Sequence, residues 1–426
     1  MVNDTLQLIH GLLYGNGIRF GKLSGNSRFI AALIGSRADR IPFMGPQIHD
    51  HAARIAKVPL RKYYWDAELL VNTQIAIDRW YRFDTYTVVA DAYNFEIEAL
   101  GAKFIYSDHA MPTVDVREPL IRNRSDLHKI GPLDPTKGRI PIGVEISRLV
   151  TQKCFGPLAA GFFCSPFSLL CQAMGYPNVI RAIRNDKVFA QEMFEWSEDQ
   201  AILPYLKAQR AAGVKSAFGA DAWSCFPNLT PEMFDEWVIP SIKRLKEKAK
   251  RQLKMNASAG QAGLDYCEED PAKFDKEMLF RCLDVVSKTL ILNSVTVAMG
   301  RTQDLDPNWL QEYALTHGKH GKKIPIVASF NGRFIRDSSP QQIIAKARQW
   351  VDVMARDGRF STFIGNVHAD TPSVNIHTAV EAIRTFGTYP IAPDLENVEV
   401  KIPQFQPFDE WLKGQPEEEI ILKARE

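Results

Sequence analysis

Apolar and polar positions along the chain alternate between two patterns. Short runs rich in Val, Ile, Phe and Ala recur as "IPFMG" from Ile41, "TYTVVAD" from Thr85, "PLAAGFFCS" from Pro157, "VKSAFGAD" from Val214, "QLKMNAS" from Gln252, "KTLILNS" from Lys288, "IPIVASF" from Ile324 and "STFIGN" from Ser361. These read as eight strands. Between several of them lie amphipathic stretches, such as 230–251 and 339–358. Each opens on Thr or Ser followed by Pro and carries cations near its end, which predicts capped helices. From Val214 onward the runs start 38, 36, 36 and 37 residues apart, the span of one strand–helix unit. Helices between strands that are apolar along their length imply parallel pairing. Eight such units predict an α/β fold of the (β/α)8 TIM-barrel kind.

The spacing loosens to 72 residues between the second and third starts. That gap is dense in Pro, Asp and Arg, and we read 102–156 as an insertion over the catalytic face. Residues 1–40 read as an N-terminal helical extension, 41–393 as the barrel, and 394–426 as a packed tail with a short terminal helix.

Composition narrows the function classes. With 45% hydrophobic and 24% charged residues the chain can bury a large core. Its 52 Lys and Arg against 50 Asp and Glu leave no cationic surplus for a nucleic-acid backbone. The six cysteines show no CxxC and read as reduced thiols of a cytoplasmic protein. The start "MVNDTLQLIH" has an acidic residue where a signal peptide needs positive charge. No stretch reaches the roughly 20 apolar residues of a membrane span, so neither secretion nor membrane insertion is expected.

In such a barrel the active site lies at the C-terminal ends of the strands. The residues there are Gln47 and His49; Asp91, Asn94 and Glu96; Cys164, Ser165 and Phe167; Asp221 and Trp223; Asn256 and Ser258; Asn293; Asn331 and Arg333; and Asn366 and His368. Asp91 and Asp221 are either catalytic or caps of the helices that follow. His49 and His51 have a His-x-His look, but residues at i and i+2 do not share a helix face, and a helix-start cluster capped by Asp50 is the plainer reading.

Several of these strings resemble the uroporphyrinogen decarboxylase superfamily. "VVADAYNFEIEALGAKFIY" is similar to its second-strand segment, "GFFCSPFSLLCQAMG" to its Gly-Phe-x-x-x-Pro-Phe-x-Leu element, "FDEWVIPSIKRL" to its Phe-x-Glu-hydrophobe-x-x-Pro helix, and "DTPSVNIHTAVEAIRTFGTY" to its closing segment. With "RADRIPF" at the first strand, the likeness runs from Arg37 to Tyr389. The resemblance independently implies a (β/α)8 barrel, and a homodimer.

It also implies one of two chemistries. Thiol-activating methyltransferases of the superfamily keep a zinc ion on a His-x-Cys at the end of the fifth strand and a Cys near the end of the barrel. The matching positions here are Asn256 and Ser258, with Gly365 and Asn366 late in the chain. Neither an amide nor a hydroxyl is a competent zinc ligand, so no metal site is expected. The porphyrinogen decarboxylases hold their substrate's carboxylates with an Arg-Gln-Ala-Gly-Arg element. "GSRADRIPF" replaces it here, Gly365 stands where the late His belongs, and only Asp91 corresponds to a catalytic residue.

What remains is a methyltransferase that demethylates a small oxygenated substrate, such as a methoxylated aromatic, with a corrinoid protein as methyl acceptor. Asp91, His368, His49 and Asp221 are its candidate catalytic residues. Gln47, Asn94, Ser258 and Arg333 are candidate substrate contacts, Asn256, Asn293 and Asn366 would fix a substrate oxygen, and Trp223, Phe167 and Phe330 would supply flat walls. The alternatives are a cofactor-free decarboxylase of a small acid, with Arg333 holding a carboxylate, and a barrel that only binds a ligand.

Overall fold

The structure, a computed structural model, describes residues 23–36, 38–91, 93–154, 160–260, 264–266, 275–289, 295–300, 305–318 and 322–426. Nine strands are present among them: β1 (Phe104–Ile105), β2 (Thr113–Val114), β3 (Gly161–Cys164), β4 (Ser216–Ala220), β5 (Asn256–Gly260), β6 (Leu264–Tyr266), β7 (Val295–Gly300), β8 (Ile326–Phe330) and β9 (Phe360–Ile364). Apart from the antiparallel hairpin of β1 and β2, every strand-to-strand pairing among the described residues is parallel. One sheet runs β3-β4-β5 and another β6-β7-β8-β9, with helices along the connections. This is the α/β architecture the patterning predicts.

The helices form where the caps say they should. Thr230 accepts from the Met233 amide and opens a helical stretch over 231–253. Ser339 and Gln342 form a reciprocal capping box that opens another over 340–355.

The first two of the eight predicted strands do not form as full strands. The run from Ile41 makes only single parallel bridges, Phe43 with Thr362 and Gln47 with Asn366, so it lies beside β9 without a full ladder. The run from Thr85 forms no strand. Both backbone groups of Val89 bond instead to the Gln74 side chain at 2.8 and 3.0 Å, an amide standing in for a neighbouring strand. Gly45 lets these two segments meet, because a Cβ there would sit 2.5 Å from the Thr85 carbonyl oxygen. Of "KTLILNS", Lys288 and Thr289 form a turn after the helix Lys276–Ser287, and the rest, 290–294, lies outside the described residues.

The insertion contains the hairpin β1–β2, the helix Arg124–Lys129 and the long helix Ile140–Lys153, which packs on the helix Ala67–Trp80 and on β3. The tail helices Phe408–Leu412 and Glu418–Arg425 also pack against Ala67–Trp80. Of the lead-in, the helix Gly25–Ile34 is described, capped by Ser24. No helix among the described residues is long and apolar enough to cross a membrane.

Asp78 is fully buried on the helix Ala67–Trp80, and its carboxyl accepts one backbone N–H, from Thr87 at 3.3 Å. Burial drives its pKa well above the usual carboxylate range. A carboxyl raised in the folded state adds stability at low pH and loses it as pH rises past the unfolded value of about 4. Asp78→Asn is therefore expected to melt above the wild type at pH 8, with the gap closing toward pH 4. Thermal melts across that range check this, and a gap independent of pH would contradict it.

Candidate functional site

Three carboxyl groups are buried where the second, third and fourth units bring their strand ends together. Asp91 closes the extended segment 85–91 and is 0% exposed, Glu96 lies on the short helix Phe95–Ala99, and Asp221 directly follows β4. Burial raises all three pKa values, Asp91 and Asp221 to about 6 and Glu96 to about 8. For Asp91 the Arg139 guanidinium opposes the rise without cancelling it. Glu96 accepts the Cys164 amide at 2.7 Å at the end of β3, and Asp221 accepts the Ser168 hydroxyl at 2.6 Å. The second oxygens of Glu96 and Asp221 have no hydrogen-bond partner among the described residues. Carboxyls held near neutrality in a dry setting are suited to giving and taking protons.

Arg139, 2% exposed, organises the Asp91 side. It donates from Nη2 to Asp91 at 2.7 Å and from Nε to Glu98 at 2.6 Å, and its guanidinium lies over the Phe95 and Trp65 rings. Asn94 donates to Asp91 and, at 3.0 Å, to the Pro112 carbonyl. The Tyr106 hydroxyl donates to Glu98 at 2.8 Å. The hairpin segment thus touches the carboxylate cluster at two points. Sequence reasoning gave no role to Arg139, Glu98 or Ser168. Their partners lie 41 to 53 residues away in the chain, so no local motif marks them.

Ser258 and Asn256 are placed differently from the expectation. Asn256 is the first residue of β5, pairs with Ser216 at the start of β4, and is exposed. The assumed strand end is the strand start, because the helix before it continues to Leu253. Ser258 is buried in mid-strand, level with Phe218 and Phe162. The row level with Cys164 and Ala220 is occupied on β5 by Gly260.

Gln47, Asn366, His368 and Arg333 do come together, at the ends of the first segment, β8 and β9. Gln47 bridges Asn366, and Gly332, at the start of the helix Gly332–Asp337, sits so close that a Cβ would lie 1.8 Å from the Asn366 carbonyl oxygen. Asn366, His368 and Arg333 are exposed. His368 is held below its ordinary pKa by partial burial and by Arg336. His49 begins the helix His49–Ala56 with φ of 25° and a buried, unpartnered Nδ1, and burial lowers its pKa. His51 turns into the core, bonded to the Tyr81 hydroxyl at 2.7 Å, and Asp50 accepts from Tyr64 rather than capping the helix.

The expected aromatic walls divide. Trp223 is half-buried and stacked on Tyr176 at 6.0 Å. Phe167 is fully buried against Phe194, and Phe330 is fully buried against Trp350 and Phe43, so both are packing residues. Asn293 lies outside the described residues. Among the described residues no three His, Cys, Asp or Glu side chains gather as metal ligands.

Four similarities bear on this arrangement. The methylated-thiol–coenzyme M methyltransferase of Methanosarcina mazei is 24% identical over 303 residues, 68% of this chain and 79% of that protein. A uroporphyrinogen decarboxylase of Xanthomonas campestris is 24% identical over 235 residues, 53% of this chain and 58% of the decarboxylase. The solved structure of a methyltransferase from Methanosarcina mazei superposes with a TM-score of 0.60 at 15% identity, over 84% of this chain and 98% of that one, which supports the fold. The profile of the uroporphyrinogen decarboxylase (URO-D) family matches residues 24–386, and the chain belongs to that family.

Proposed function

We propose that the protein is a methyltransferase that takes a methyl group from a small oxygenated compound, of the methoxylated aromatic kind, and passes it to a corrinoid on a partner protein. The corrinoid is a co-substrate in this reading. The observation that carries it is the set of three buried carboxyls, Asp91, Glu96 and Asp221, of which the last two each keep an oxygen with no hydrogen-bond partner among the described residues. When the methyl–oxygen bond breaks, its electron pair stays on oxygen, and a proton from Asp91 or Asp221 makes the departing group a neutral alcohol or phenol. The acceptor supplies the electron pair for the new bond to carbon. The methyl-transfer activity of the Methanosarcina mazei relative supports the same direction. The two parallel sheets are taken as arcs of one closed (β/α)8 barrel, with 102–156 covering its mouth, in a cytoplasmic homodimer.

Zinc has no part in this reading. The face of β5 shared with Cys164 carries Asn256, Ser258 and Gly260, whose side chains offer an amide, a hydroxyl and nothing. Metal analysis of the purified protein is expected to find no stoichiometric zinc, and one tightly bound equivalent would overturn this part.

The decarboxylase relatives support a second reading, a lyase acting on a small acid. One experiment separates the two. The protein is mixed with reduced cobalamin and a panel of methoxylated aromatics while the visible spectrum is followed, and in parallel with the corresponding acids while carbon dioxide is measured. Methylated cobalamin from at least one donor is expected. Its absence from all of them, with carbon dioxide released, would replace the first reading by the second.

A further inference from the structure

One nitrogen of the Arg139 guanidinium has no partner among the described residues. Its Nε and Nη2 are taken by Glu98 and Asp91, while Nη1 is buried and has no hydrogen-bond partner among the described residues. A buried orphan donor carries a desolvation cost that a ligand oxygen would relieve. The charge around it says what kind of oxygen. One guanidinium already faces two carboxylates at 2.6 and 2.7 Å, so the cluster is at best neutral and, with both carboxyls ionised, negative. A third carboxylate would meet repulsion in a poorly screened place, whereas an uncharged ether, carbonyl or phenol oxygen adds a hydrogen bond without adding charge. Trp65, 42% exposed, covers the guanidinium at 5.0 Å, and Tyr106, 45% exposed, packs edge-on against Trp65 at 5.2 Å. These two exposed rings form the cover.

We propose that Arg139 is the specificity-determining residue of this site: its Nη1–H donates to an uncharged oxygen of an aromatic substrate that displaces Trp65 and Tyr106, and Glu98 with Asp91 turns carboxylated analogues away. The inference deepens the preceding reading and rests on it for the substrate's use, although its test does not need turnover.

The test is calorimetric binding of 2-methoxyphenol and 2-methoxybenzoate to the full-length protein. The wild type is expected to bind the phenol about 10- to 100-fold more tightly than the benzoate, and Arg139→Lys, which cannot offer the fixed fork, to lose phenol affinity by about 10-fold or more. Glu98→Gln keeps one oxygen acceptor for Arg139, leaves its amide N–H to donate to the Tyr106 hydroxyl and removes a charge, and is expected to bring benzoate within about threefold of the phenol. Equal wild-type binding of the two ligands, or selectivity unchanged in Glu98→Gln, overturns the proposal. If Arg139→Lys fails to fold, the Glu98→Gln comparison decides alone. Selective binding without methyl transfer would leave this inference standing and sink the preceding one. Methyl transfer with no selectivity would do the reverse.

Discussion

Replacing Asp91 by alanine is expected to cost about 3–5 kcal/mol of folding stability, because it leaves the Arg139 guanidinium, 2% exposed, as a buried charge short of one partner. It is also expected to lower methyl transfer by about 10²- to 10⁴-fold, the usual worth of a positioned proton donor. Asp91→Asn separates these effects. The amide keeps an acceptor for Arg139, so most of the stability should return, while the proton cannot be given and the rate should stay low. Chemical denaturation and initial rates on the same preparations measure both, and an Asp91→Asn turnover within about threefold of wild type would remove Asp91 from the mechanism. The pH dependence has a definite sign. With pKa values of about 6 for Asp91 and Asp221, the acid form is the minor one at pH 7. The rate should therefore rise toward pH 6 and fall about tenfold per unit above it if one proton is required. A rate flat from pH 6 to 8 would exclude both carboxyls as donors. Because the folded-state value is raised, the contribution of Asp91 to stability runs in the same direction, falling as pH climbs from about 4 to about 6.

The second large effect is expected at Asp84, far from this chemistry. Its carboxylate accepts from Arg28 at 2.6 Å, from both Nη atoms of Arg40 at 2.6 and 2.7 Å, and from the Phe43 amide at 2.8 Å. Arg28 is also held by Asp39 at 2.7 Å. This cluster ties the helix Gly25–Ile34 and the first extended segment to residue 84, in a place where only single bridges hold that segment to β9. Asp84→Ala takes the hydrogen-bonded carboxylate from the largely buried Arg40 and leaves Arg28 with Asp39 alone, and a loss of about 3–5 kcal/mol follows. Asp84→Asn keeps oxygen acceptance without the charge and should lose less. Equilibrium unfolding of the two variants beside wild type is the measurement. A loss below about 1 kcal/mol for alanine would mean that the arginines find solvent or other partners and that the cluster is not a structural tie.

The placement of the two large effects shows what kind of information each needs. The caps at Thr230 and Ser339, the apolar runs at Gly161–Cys164, Ser216–Ala220, Ile326–Phe330 and Phe360–Ile364, and the strand–helix spacing are local properties, and the structure reproduces them. Asp221 directly follows one of these strands and is buried at its end, whereas Asp91 and Asn94 are buried after the Thr85 run, which forms no strand. The failures are equally local in origin. "QLKMNAS" mixes charged and apolar positions, and the amphipathic helix before it extends to Leu253, which moves the strand start from Gln252 to Asn256.

By itself, then, the sequence determined the α/β alternation, the parallel pairing, the helix starts and the family, because periodicity, capping and motif spacing act over a few residues and survive without knowledge of the rest. Tertiary structure alone decided which charges meet. Arg139 reaches Asp91 across 48 residues and Glu98 across 41, Ser168 reaches Asp221 across 53, and Gln74 replaces a strand that the pattern at Thr85 promised. The pKa values of the carboxyls follow from burial and from those distant partners, both products of the assembled fold, so the chemistry of the site appears only once the units are packed together.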